Sequence, residues 1–113
     1  MYVLRISVIS DDRVEAAVEY IRDNSGLIGQ LRGQKAMLEH SIKIERSQRF
    51  LEAEGTVAER EAIAWTDPAV YELCNEYRDC VTELETIATR FKSAELLIEV
   101  WRTQNANQRR GNI

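Results

Sequence analysis

Residues 67–107 read DPAVYELCNEYRDCVTELETIATRFKSAELLIEVWRTQNAN, and this stretch decides the fold. Within it Cys74, Tyr77, Val81, Leu84, Ile87, Phe91, Ala94, Ile98 and Trp101 succeed one another at intervals of three or four. That spacing stacks them along one side of an α-helix, as the apolar seam of a helical hairpin or coiled coil. Ala88 and Leu97 flank the seam, and two consecutive three-residue steps around Leu84 shift its phase. Asp67 supplies a capping carboxylate, and Pro68 suits the first helical position, where a missing N–H costs nothing. The spacing predicts a long helix over 68–107 and a basic tail over 108–113.

Before this stretch Gly55 interrupts the chain and Thr56-Val57-Ala58-Glu59 matches a capping box, so a short helix is expected over 57–65. Before it, a helix over 27–54 carries Leu31, Leu38 and Ile42 on one stripe and Met37, Ile44 and Leu51 on a neighbouring one. Glu39 with Lys43, and Glu45 with Arg49, stand four apart and read as charge pairs. Gly26, Gly29 and Gly33 blur where that helix begins, since each interior glycine costs about 1 kcal/mol relative to alanine. The Gly29-x-x-x-Gly33 spacing reads as a flexible or tightly packed helix start. Ser10, Asp11 and Asp12 open an earlier helix over 11–24, with Val14, Ala17, Val18 and Ile21 on one side and Asn24, Ser25 and Gly26 as its end. Residues 2–9, YVLRISVI, read as a short strand or extended arm.

The expected fold class is therefore all-α: a single domain over 1–113, built as a long helical hairpin or coiled-coil-like bundle with a short N-terminal arm. At about 1.5 Å per residue the long helix spans roughly 60 Å, against about 30 to 40 Å for the helix before it. The end from Phe91 to Trp101 then needs cover, either from the first helix or from a second copy of the chain. A homo-oligomer, most simply a two-fold dimer, is the expectation drawn from that overhang.

Composition narrows the function classes. With 113 residues, 44% of them hydrophobic and 30% charged, the chain is too apolar for disorder and too small for a large catalytic architecture. Its unbroken apolar runs fall far short of the ~20 residues of a membrane span. The N-terminus shows no signal-peptide pattern, so a cytoplasmic protein with no membrane partner is expected. Cys74 and Cys80 lie six apart, about 120° around a helix, and cannot pair within it. Cys74 is expected to pack as a small apolar residue and Cys80 to be neutral to the fold.

His40 is the one histidine and sits between Glu39 and Ser41. A metal site or proton relay needs further partners, so His40 reads as a solvated helix residue. No phosphate loop or nucleophile elbow occurs. The chain is expected to be no enzyme and to carry no cofactor. Glu52, Glu54, Glu59 and Glu61 cluster near Gly55 and read as a solvated acidic elbow. Trp65 is expected to close the short helix onto the core, while Trp101 divides between core and interface roles.

Charge is uneven along the chain. The net charge is -4, yet residues 100–113 hold three arginines, Arg102, Arg109 and Arg110, and no acid. Arginines beside amide side chains and a tryptophan suit phosphate contact and base stacking, although three cations make a small footprint. The plainer reading is a solvated helix end whose cations complement the negative terminus.

The segments EGTVAEREA, residues 54–62, and IEVWRTQNANQRRGN, residues 98–112, resemble small helical proteins encoded by tailed bacteriophages among early replication and recombination genes. The resemblance spans about residues 30–113. It implies a phage origin and a non-enzymatic accessory role in the cytoplasm of a bacterial host. Three readings follow: a helical protein-interaction module presenting Leu97, Ile98 and Trp101 with Glu59 and Glu61 to a host or phage protein; an accessory factor of DNA metabolism touching single-stranded DNA through Arg102, Arg109 and Arg110; or an inhibitor of a host defence system.

Overall fold

A computed structural model describes residues 8–111 of the chain. They form three α-helices and no strand: α1 over Asp11–Glu52, α2 over Val57–Trp65 and α3 over Pro68–Gly111. The all-α hairpin fold is as the seam of α3 predicts. The strand expected over 2–9 falls outside the described residues, except for Val8 and Ile9, which lie in neither helix nor strand. Among the described residues no helix is long and apolar enough to cross a membrane.

The stop expected at Asn24 to Gly26 does not occur; the two helices expected over 11–24 and 27–54 are one. The would-be terminators turn their polar groups back into the helix. The Asn24 amide donates to the Tyr20 carbonyl at 2.9 Å, and the Ser25 hydroxyl to that of Arg22 at 3.4 Å. Gly26, Gly29 and Gly33 all lie on the exposed side, and a Cβ added to any of them would meet nothing within 4 Å. They are neither a break nor a close crossing.

The inward residues of α1 explain its continuity. Val14, Ala17, Ile28, Leu31 and Leu38 are buried, with Ile21, Asn24, Lys35, Ile42, Glu45 and Arg49 half-buried among them. These positions alternate by three and four without a slip, a seven-residue repeat that runs straight through the glycines. Met37, Ile44 and Leu51, expected on a second packed stripe, are instead exposed.

The chain divides into two compact units, and α1 and α3 contribute to both. In the unit over Ile28–Thr86 the two helices run antiparallel: Leu31 meets Cys80, Glu39 meets Tyr77 and Arg49 meets Asp67, so one number falls as the other rises. Its core includes Leu31, Leu38, Ala64, Val70, Cys80 and Leu84. Cys80, expected to be neutral to the fold, is the more deeply packed of the two cysteines. Cys80 is buried, its thiol donating to the Leu31 carbonyl at 3.4 Å, while Cys74 is half-buried.

The other unit pairs the first turns of α1 with the last turns of α3. Ile9, Val14, Ala17 and Ala94 are buried there, and the Ile9 amide donates to the Gln104 side-chain oxygen at 2.9 Å. Of the two covers foreseen for the distal end of α3, the structure supplies the one from within the chain. Leu97, Ile98 and Trp101 are accordingly half-buried.

Candidate interaction site at the elbow

The link from α1 to α3 is built from a few local devices. Gly55, at φ 116°, adopts a backbone conformation that side chains disfavour and turns the chain. Thr56 then caps α2, its hydroxyl accepting from the Glu59 amide at 3.2 Å. Only this half of the capping box forms; the Glu59 carboxylate makes no hydrogen bond among the described residues. After α2 the Thr66 hydroxyl donates to the Ala62 carbonyl at 2.8 Å, and the Asp67 carboxylate accepts from the Ala69 amide at 2.9 Å to start α3.

Three arginines fasten these helices to one another. Arg49 of α1 reaches the Glu45 carboxylate at 2.7 Å and Glu52 at 3.3 Å, and stands 3.6 Å from Asp67. The hydrogen bond to Glu45, then the charges of Asp67 and Glu45, push the guanidinium pKa above its ordinary value, so it stays a cation. Arg60 of α2 donates to the Phe50 carbonyl at 3.1 Å, one of the unpaired carbonyls at the end of α1, and its guanidinium lies 4.3 Å from the centre of the Phe50 ring. Arg46 of α1 lies 4.4 Å over the ring of Trp65.

Trp65 is not the core residue expected from sequence. It is 52% exposed, whereas its neighbour Ala64 is fully buried. Successive residues of a helix diverge by about 100°, so a short helix that buries Ala64 turns Trp65 off its packed side. The ring and its Arg46 partner line two clefts. The larger, about 470 Å³, is also walled by Ser47, Phe50, Leu51, Glu61 and Ala64. The other, about 370 Å³, is completed by Glu39, Ile42, Lys43, Cys74 and Tyr77. Leu51, Val57, Ile63 and Tyr71 are further exposed apolar residues on these helices.

The residues singled out from sequence are not brought together. Glu61 lines the larger cleft, while Glu59 is exposed outside it. Ile98 and Arg102 border a shallow cleft of about 370 Å³ with Lys92, Glu95, Leu96 and Glu99. Arg109 and Arg110 are exposed in the last turn of α3, which continues to Gly111, past the boundary expected at 107. His40 is exposed. Among the described residues no three His, Cys, Asp or Glu side chains are placed to hold a metal ion.

The sequence pattern does not single out Arg46, and it places Trp65 in the core, where the structure leaves it 52% exposed. The signal was there in the nine-residue length of α2 and in Ala64, whose small side chain marks the side that approaches another helix. No family model, no curated protein and no solved structure matches the chain.

Proposed function

We propose that the protein is a non-enzymatic, helical protein-interaction module that receives its partner at the elbow. The observation that carries this reading is Trp65, half-exposed, stacked under Arg46 and bordered by two clefts. Tryptophan and arginine dominate the few residues that supply most binding energy at interfaces. A partner segment that inserts an aliphatic or aromatic side chain beside Trp65 would cover the apolar wall of Phe50 and Leu51. The likeness of residues 54–62 and 98–112 to small phage proteins makes a host or phage protein the partner to look for, in DNA metabolism or in host defence.

The test is capture from nuclease-treated bacterial lysate with the native chain, Trp65→Ala and Arg46→Ala. One protein held by the native chain and released by both variants, with at least tenfold weaker binding on purification, is expected. Equal capture by all three removes the elbow from consideration.

A second reading, contact with single-stranded DNA, rests on a different observation. The last turns of α3 keep Arg102 and Arg109 seven residues apart on one exposed side, with Arg110 adjacent, and none of the three is in an ion pair among the described residues. Replacing all three with Gln should abolish a salt-dependent affinity for oligonucleotides; no binding at low salt refutes the reading. Substitution is preferable to truncation after Val100, which would also remove Trp101 and Gln104 from their unit.

A further inference from the structure

Of the three helices, α2 is the least rooted. Among its nine residues only Ala64 is buried, Arg60 is half-buried and the rest are exposed. Its large apolar side chains, Val57, Ile63 and Trp65, keep 62%, 48% and 52% of their surface in solvent. A helix this short does not hold its shape in water by its own hydrogen bonds, and α2 buries little apolar surface to make up the difference. Two contacts between an arginine and an aromatic ring supply the rest of its attachment to α1. Arg60 reaches the Phe50 carbonyl at 3.1 Å and the Phe50 ring at 4.3 Å, and Arg46 covers Trp65 at 4.4 Å. Among the described residues no ion pair joins α2 to either long helix.

The hairpin has its own closure, independent of α2. Arg49 of α1 stands 3.6 Å from Asp67, the cap of α3, and so ties the two long helices directly to each other. Further along, Tyr77 donates to Glu39 and the Cys80 thiol to the Leu31 carbonyl, with Leu38 and Leu84 buried nearby in the same unit. None of these contacts uses a residue of α2. Where the chain enters α2 it passes through Gly55, whose missing side chain gives the backbone its widest freedom.

We propose that α2 opens as a unit of its own: it lifts from α1 and unwinds while α1 and α3 stay paired, and the contact of Arg60 with Phe50 sets how often. Opening divides the larger elbow cleft, whose walls come from Arg46, Phe50 and Leu51 of α1 and from Glu61, Ala64 and Trp65 of α2. Only the closed form presents that cleft. A partner held there selects the closed form, so Arg60, which lines neither elbow cleft, governs the affinity of the elbow from outside it. This consequence rests on the elbow reading; the opening itself does not.

Hydrogen exchange of the free, full chain, followed amide by amide by nuclear magnetic resonance, tests the proposal. After correction for intrinsic rates, amides 61–65 of α2 should exchange about a hundredfold faster than those of Leu38 and Leu84. Urea below the unfolding transition should speed exchange at Leu38 and Leu84 and leave α2 nearly unchanged, because so short an opening exposes little surface. Arg60→Gln should speed exchange in α2 about tenfold and at Leu38 and Leu84 by less than about twofold, which also shows that the variant is folded. Protection of α2 equal to that of Leu38 and Leu84, or a shared response to urea, overturns the proposal. So does an Arg60→Gln effect that is absent from α2 or spread evenly over the three helices. No partner is present in these measurements, so they succeed or fail separately from capture at the elbow.

Discussion

Glycine shows how position decides the sign of one substitution. At Gly26, Gly29 and Gly33 the backbone is helical and the space beyond Cα is open, so alanine lowers the entropy of the unfolded chain and strains nothing. Each replacement should stabilise the fold by about 0.5–1 kcal/mol, read as a higher urea midpoint. Gly55→Ala should destabilise it by about 1–3 kcal/mol, because φ is 116°, a conformation that a residue with a Cβ adopts only under strain. The Tyr77 hydroxyl donates to Glu39 at 3.0 Å, and this bond, with desolvation and the Glu39 charge, raises the tyrosine pKa above 10.0. Because the folded-state value is the higher one, the contribution to stability is full below the unfolded pKa and is lost as pH rises through the folded value. Glu39→Gln should bring the Tyr77 transition down toward 10.0 in a tyrosinate absorbance titration, with Tyr77→Phe identifying the signal.

Among the elements, α3 carries its evidence on its own sequence. Leu84 is 5% exposed and Leu96 is 55% exposed on the same helix. Leu84→Ala should therefore cost about 2–5 kcal/mol in chemical denaturation, and Leu96→Ala well under 1 kcal/mol. All nine residues of the seam read from α3 are buried or half-buried, and α2 runs over the residues its capping threonine predicts. That much was legible, because apolar spacing and capping chemistry are local. α1 was harder to read. Its packed repeat passes through Asn24, Lys35, Glu45 and Arg49, which blur the apolar period, while Met37, Ile44 and Leu51 form a false stripe on the exposed side. Asn24-Ser25-Gly26 has the chemistry of a stop, but Ile21 and Ile28 on either side have packing to gain from continuing. Neither Trp65 nor Arg46 announces the elbow, since their contact joins two helices and appears only once Ala64 is known to face inward.

At the scale of the whole molecule, the two thiols offer a measure of intactness. Cys74 is half-buried and Cys80 is 4% exposed, its thiol held on the Leu31 carbonyl. One thiol should react readily with a small aromatic disulfide in the native protein, and the second only as fast as the Leu31 region opens. Two equally fast thiols would mean that α1 and α3 separate there far more readily than their packing implies. The burial pattern bears on recognition as well. Among the described residues, Ala64 and Val70 are the buried apolar residues at 0% exposure, and they sit at the end of α2 and the start of α3, Ala64 directly before Trp65 in the chain. Arg46 covers one face of that indole, and the arginine bonds to Phe50, Glu45 and Asp67 hold the adjoining helix ends. On the proposed reading, an incoming protein would meet an indole already held against Arg46 on one face, and would lose less side-chain entropy in binding it than at an unsupported ring.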